Sequence, residues 1–405
     1  MTRWLIGLSA GCSAECVDAL LAEIKGKGLD LQVRVVHWLT EPLPPDLREL
    51  IIKAGTPGLA DVRQISLAHR VLGEFLAAAA RQLADRASVS WQKILCAGCI
   101  PHAVWHDGDH RFASMLTLGA AAVLAERTGL TIVSDFAWRD IACGGQGGPL
   151  TPVGDAVLFR DPHEDRLVIH LGAMVQVVYL PALGSANELS AWQVGPGTTI
   201  LDSLIQHLTG GKERSDAGGK HAVQGRQIPE LLERWSNHPF LKRRPPKVAQ
   251  RANFAEEFAR NTIALAKQKN WASYDVLCTA NHLVAWAVAD SVRRWLPQAS
   301  QAHRLLLTGP GVRSGLLWRL LEEHFPGLPI VRSDSVGIPA EPKEALDAAL
   351  LACFALDGVP VNIPAVTGAS GARLLGSFAP GSGSNWSRCL RWMTDQEDEL
   401  LDEDD

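Results

Sequence analysis

The stretch RLVIHLGAMVQVVYL, residues 166–180, decides how the rest of the chain is read. Two runs rich in β-branched and aliphatic residues, Arg166–Leu171 and Gln176–Leu180, flank Gly172. Branched side chains favour extended backbone and glycine permits a tight reversal, so a β-hairpin is predicted. The N-terminus offers a similar plan. Arg3–Leu8 reads as a strand, followed by a Gly/Ser/Cys turn and then a strand or helix through Val17–Ile24. That echo suggests duplicated lobes. Around these units, Ile65–Asp85 has helical periodicity, and Lys93–Ala97 and Thr131–Ser134 read as buried strands. Helices follow at Phe254–Lys267 and His282–Trp295, then a strand at Arg304–Leu307 and a long helix at Lys343–Leu356. Short strands alternating with amphipathic helices make an α/β protein.

A chain of 405 residues is too long for one ordinary core, so two lobes are expected. Apolar content of 47% and charged content of 20% suit a soluble globular protein. A net charge of -5 argues against a nucleic-acid partner. The apolar start MTRWLIGLSAGCSAECVDALL lacks a basic n-region and a cleavage site, so no signal peptide is read. No uncharged run is long enough for a membrane span. Eight cysteines without a secretory signal point to reduced thiols and a cytoplasmic location. The terminal run DQEDELLDEDD is expected to be a solvated, disordered tail.

Four Gly-rich loops stand out: GLSAGCS from Gly7, ACGGQGGPL from Ala142, QVGPGTT from Gln193 and LTGPGVRSG from Leu307. Main-chain N–H groups in such loops can cradle phosphate, although a glycine-rich turn is more often only a tight turn. Four in one chain favour a nucleotide or phosphorylated ligand.

The ordered set of motifs resembles the anhydro-N-acetylmuramic acid kinase family, from the start to roughly residue 378. The most specific stretch is SDFAWRDIACGGQGGPLTP (134–152), which is similar to that family's DFR-x-x-D-x-A-x-GGQGAPL-x-P. WQVGPGTTILD (192–202) resembles its F-D-x-GPGN-x-x-x-D, and SDSVGIPAEPKEA (333–345) and NIPAVTGA (362–369) match two later segments. The resemblance implies an actin-like ATPase or sugar-kinase fold, with two lobes and a central ligand cleft. It implies lobes of 1–160, completed by about 362–392, and 161–361, with 393–405 as tail. It also implies a reaction of peptidoglycan recycling. ATP, with Mg²⁺, phosphorylates 1,6-anhydro-N-acetylmuramic acid while water opens the anhydro ring. An amino sugar and a nucleotide are the expected small-molecule partners, and the family's pairing implies a homodimer.

The same resemblance marks the site. The nucleotide side falls on Gly11, Cys12, Ser13, Gly172, Gly195, Gly197, Gly309 and Gly311, and the sugar side on Asp135, Asp140, Gly144, Gly145 and His106. The family's general base is the Asp before GPG, and Gln193 stands there. An amide cannot accept water's proton, a loss on the order of 10²–10⁴ in rate. In the first phosphate loop Cys12 replaces Thr, Glu15 replaces Asp and Cys16 replaces Gly. In GSHGQT-x-x-H the first His is Ile100 and only His106 survives. His170 replaces an Asn of the second phosphate hairpin, and Pro310 a central glycine of the adenosine-side loop. Of KST-GR only Lys247 and Arg251 remain. Asp18, Asp202, Asp334, Glu344 and Asn362 are kept. The pattern is a scaffold that persists with its polar contacts rewritten. It fits a divergent kinase with reduced or altered activity, in which Gln193 and Glu15 occupy the catalytic positions. A non-catalytic binding or regulatory protein is the alternative.

Other clusters are weaker. Cys96, Cys99, His102 and His106 have a spacing that could bind zinc, but the segment is compact and Cys96 lies on a strand; no metal is assigned. Cys12 and Cys16 could oxidise together, or else serve as inert thiols. Lys242–Arg244 reads as a solvated loop, with an anionic ligand as its other use, and His282 as a core or capping residue. The 13 tryptophans are mostly core, with some available to stack on a sugar.

Overall fold

A computed structural model describes residues 2–11, 14–56, 58–109, 111–250 and 254–394. The chain divides into two compact units, Met1–Leu158 with Pro342–Asp405, and Phe159–Glu341. Thirteen strands are found among the described residues. They are β1 (Thr2–Ser9), β2 (Cys16–Lys25), β3 (Gln32–Pro42), β4 (Ile94–Ile100), β5 (His102–Asp107), β6 (Ser114–Leu118), β7 (Thr131–Ser134), β8 (Arg166–Leu171), β9 (Met174–Leu180), β10 (Ser190–Pro196), β11 (Arg304–Thr308), β12 (Ile330–Arg332) and β13 (Ser377–Ala379).

In the first unit the main sheet runs β13-β7-β4-β1-β2-β3. β1 and β2 form an antiparallel hairpin, β3 continues it antiparallel, and β4 and β7 join parallel. In the second unit the order is β10-β9-β8-β11-β12. Again the first three strands form an antiparallel meander, and the last two join parallel. Both units therefore share one strand order, 3-2-1-4-5, with the same directions. The predicted hairpin over 166–180 is β8–β9, and its echo is β1–β2. The open reading of Val17–Ile24 resolves as a strand, because Asp18 to Lys25 pair residue by residue with β1.

Packing follows from patterning. The helix Val62–Arg86 opens with a reciprocal cap in which Asp61 accepts from the Gln64 main chain at 2.9 Å and Gln64 accepts from that of Asp61 at 3.0 Å. Its buried Ala68, Leu72, Leu76, Ala80 and Leu83 share a face and belong to a core with Ile6, Leu8 and Leu21. The helix Lys343–Leu356 is buried on nearly every residue, as an interior helix must be. It lies so close to β1 and β4 that a Cβ on Gly7 would be 1.8 Å from the Ala345 carbonyl oxygen, and one on Gly98 1.9 Å from that of Ala348. Both glycines are required by this approach. In the second unit the helix Ser273–Trp295 packs Leu283, Val284, Val288 and Val292 into a core with Tyr179, Trp192 and Leu204.

Two expected boundaries need correction. The return to the first unit comes at Pro342, not near 362, because helix Lys343–Leu356 belongs to the β1/β4 face. Residues 393 and 394 end the helix Gly383–Thr394, and the rest of the predicted tail lies outside the described residues.

Candidate functional site

In the first unit, β7 delivers Asp135 into the left-handed region at φ 55°. Few L-residues accept that backbone; aspartate is one of the more tolerant. Its half-buried carboxylate accepts from Ser134 Oγ at 3.2 Å and Thr117 Oγ1 at 3.4 Å. The Gly-rich turn follows the helix Phe136–Ala142. Gly144 is exposed, and a Cβ there would meet nothing within 4 Å. A Cβ on Gly145 would lie 2.2 Å from Asp140 Oδ2. His106 Nε2 donates to the Gln146 carbonyl at 2.6 Å, so the surviving histidine braces this turn.

Asp140 has no exposed surface. It accepts from the Gly147 N–H at 2.9 Å, Asn362 Nδ2 at 2.8 Å and Thr367 Oγ1 at 2.7 Å. A carboxylate with three internal donors and no exposure is a structural anchor. The expected sugar contact at Asp140 is corrected accordingly: it joins the 144–147 turn to the 362–367 segment. Asp135 and Gly144 remain presented.

The loop between β1 and β2 carries Gly11, expected on the nucleotide side. Ser9 Oγ accepts from the Gly11 N–H at 3.1 Å, and His102 Nδ1 donates to the Gly11 carbonyl at 2.6 Å. Cys12 and Ser13 lie outside the described residues. Glu15 is paired with Arg48, Nη2 to Oε1 at 2.5 Å and Nε to Oε1 at 3.1 Å. An arginine held this closely engages the carboxylate, which argues against its reading as a catalytic group. A cluster whose members are far apart in sequence forms nearby. Burial raises the Glu344 carboxyl above its usual range, a hydrogen bond with Ser9 opposes the rise, and the Asp18 charge adds to it. Ser9 carried no signal in the sequence beyond its place two residues before Gly11.

The zinc reading fails on strand geometry. Cys96 and Cys99 are an odd number of residues apart on β4, so their side chains leave opposite faces. Burial pushes the Cys99 thiol up to about 12 and Cys96 higher than its ordinary value as well. His102 and His106 are engaged as described.

In the second unit the hairpin turn and the GPG turn lock together. Gly197 N–H donates to the Ala173 carbonyl at 2.9 Å and Thr198 N–H to that of Gly172 at 2.8 Å. Thr199 N–H also reaches Ala173 at 3.3 Å. These donors open the helix Thr198–Leu208, and the hairpin carbonyls satisfy them. The close approach explains the glycine: a Cβ on Gly197 would be 2.2 Å from the Gly172 carbonyl oxygen. Gly195 is crowded in turn by Leu241 Cδ2, 2.6 Å from where its Cβ would stand. The expected phosphate cradle at Gly195 and Gly197 is therefore corrected, since their missing side chains serve internal packing and the Gly197 N–H faces the Ala173 carbonyl. Gly309 and Gly311 press on Leu171, which lies 2.9 and 2.7 Å from where their Cβ atoms would stand. His170 stands between these loops. Its Nδ1 shares a hydrogen bond with Thr308 Oγ1 at 3.0 Å, and its ring edge lies 2.6 Å from a Cβ placed on Gly172.

Gln193 is moored. Its Oε1 accepts from the Ala249 N–H at 2.8 Å, and its own N–H donates to the Lys247 carbonyl at 3.3 Å. Lys247, expected only as a surviving charge, is wholly buried.

The 3-2-1-4-5 unit repeated in both halves is the architecture expected of the actin-like ATPase and sugar-kinase fold, and a fold by itself does not give an activity. A profile described as "Anhydro-N-acetylmuramic acid kinase" matches residues 3–381. A protein of that name from Gloeobacter violaceus is 34% identical over 377 residues, 93% of this chain and 98% of its own. Another from Trichormus variabilis is 33% identical over 386 residues, 93% and 97%. A solved structure, component A of (R)-2-hydroxyglutaryl-CoA dehydratase from Acidaminococcus fermentans, has a TM-score of 0.43 at 14% identity, covering 86% of this chain and 96% of its own. The chain belongs to the anhydro-N-acetylmuramic acid kinase family.

Proposed function

We propose that the chain binds ATP with Mg²⁺ and an anhydro amino sugar, and performs the family's phosphoryl transfer with reduced turnover. In that reaction water adds to the anomeric carbon, the C1–O6 bond breaks, and O6 takes the γ-phosphoryl group, leaving ADP and a proton. Asp135, half-buried and strained at φ 55°, and Gly144, exposed with open space where a side chain would stand, suit the sugar side. Asp18 and Glu344 would hold Mg²⁺. The rise of the Glu344 carboxyl under burial and the nearby Asp18 charge is the kind of strain a cation relieves. The metal would supply neutralising charge to the phosphates.

The observation that carries the reduced turnover is the Gln193–Ala249 hydrogen bond. The amide's oxygen is committed to a main-chain donor, and its nitrogen has no basicity to take the proton from water. The test is ADP release from 1,6-anhydro-N-acetylmuramic acid and ATP by wild type, Gln193→Asp and Gln193→Ala. The expected wild-type rate is low, and Gln193→Asp raises it by on the order of 10²-fold. Gln193→Asp slower than wild type would sink this reading. The Glu15–Arg48 pair favours the second reading, a non-catalytic binding protein, which gains if no variant turns over although calorimetry shows the ATP analogue binding.

A further inference from the structure

Lys247 carries a charge in a place where a charge is costly. Its side chain has no exposed surface, and its ammonium meets main-chain carbonyls instead of a carboxylate. Nζ donates to Val194 at 3.3 Å, Phe240 at 3.3 Å and Leu241 at 3.5 Å, and sits 4.8 Å from the Phe240 ring centroid. Two charged groups face it. Arg243, just beyond the helix Pro239–Lys242, disfavours its proton, and Asp290 of the helix Ser273–Trp295 favours it. Asp290 is itself paired with Arg294 at 2.7 Å, so its help is divided. A methionine would fill the space without the penalty.

The three carbonyls explain why a cation is useful here. Val194 lies on β10, an edge strand, one residue before Gly195. Phe240 and Leu241 lie on the helix whose Leu241 crowds Gly195. Gln193 completes the lacing through Lys247 O and Ala249 N. One ammonium thus ties a helix and a strap to the strand end that leads into the Gly195–Gly197 turn.

We propose that Lys247 is a positioning residue, its ammonium fixing the Gly195–Gly197 turn and the start of helix Thr198–Leu208 by gripping carbonyls on both sides. The link to catalysis rests on the kinase reading above; the grip itself does not. Burial holds the Lys247 pKa down to about 8, so the grip weakens as pH rises past that point.

The test is hydrogen exchange with mass spectrometry on the full chain, without substrate. The expected result for Lys247→Met at pH 7 is at least tenfold lost protection in the peptide covering 190–201, with β11 unchanged and the melting temperature equal or higher. In wild type the same peptide loses protection between pH 7 and 9.5 after correction for intrinsic rates, again with β11 unchanged. Unaltered protection in a folded Lys247→Met protein would overturn the proposal. If that variant does not fold, a flat wild-type pH series overturns it alone. Exchange that responds as expected in a protein without kinase turnover would uphold the grip while removing the kinase reading.

Discussion

At the residue scale, two buried ionisable groups behave oppositely. Asp140 is buried and fully partnered, so truncating it strands three donors. Asp140→Ala is expected to cost about 3 kcal/mol or more, read from urea unfolding. Lys247 is charged, buried and only partly compensated. Its depressed pKa means the folded state holds the proton less tightly than the unfolded chain. The stability penalty is therefore full below pH 8 and is relieved as pH rises toward 10.5, by about 3 kcal/mol at most. Lys247→Met should abolish that alkaline gain and leave the protein as stable as wild type or more so at pH 7. Global stability then rises with pH while the local turn loosens. That opposition of sign separates a positioning role from a merely structural one. Neither behaviour was visible in the sequence, where Asp140 read as a sugar contact and Lys247 as a leftover charge. A letter does not reveal which donors the fold will bring to it.

At the element scale, the helix Lys343–Leu356 is the most demanding piece of packing. Main-chain atoms of Ala345 and Ala348 occupy the space where Cβ atoms of Gly7 and Gly98 would stand. Gly98→Ala should destabilise by about 1–3 kcal/mol or more, because the offending contact is main chain and cannot rotate away. The same helix carries Lys343, placed between Asp155 at 2.8 Å and Asp347, all three buried. Burial and the neighbouring Asp155 hold the Asp347 carboxyl above its usual range, against the pull of Lys343. Removing the cation by Lys343→Met leaves two acids without compensation, a loss of about 3–5 kcal/mol in thermal or urea unfolding. A raised carboxyl pKa favours the folded state at low pH and costs stability as pH rises through it. Asp347→Asn should therefore flatten that dependence. This helix was read from the sequence with the bounds it has in the structure, since a long, almost wholly apolar run needs little context to declare an interior helix. β3, β5, β6 and β12 were not read as strands. They are edge or paired strands with mixed patterning, and only their partners make them extended.

At the scale of the whole molecule, the two units differ in how the chain builds them. The second is continuous from Phe159 to Glu341 and has its own core. The first needs two separated segments. Arg3 forms a buried pair with Asp357 at 2.6 Å, Asp140 takes donors from Asn362 and Thr367, and β7 pairs with β13. The fragment 159–341 should therefore fold alone with a cooperative thermal transition by circular dichroism. The fragment 1–158 should not, because the face at Gly7 and Gly98 is left uncovered. A cooperative melt from 1–158 alone would refute this account.

The sequence by itself determined the α/β class, the hairpin over 166–180 and the family, because period-2 and period-3.6 patterning and fixed glycine spacings are local properties. It also located Gln193 at the position where a carboxylate is expected. Only the tertiary structure decided what the loop residues do. Gly195 and Gly197 make room for a helix and a hairpin, Glu15 answers Arg48, and Gln193 is moored to Ala249. Each of these roles depends on a partner far away in the chain, and the identity of that partner is set by the fold rather than by neighbouring residues.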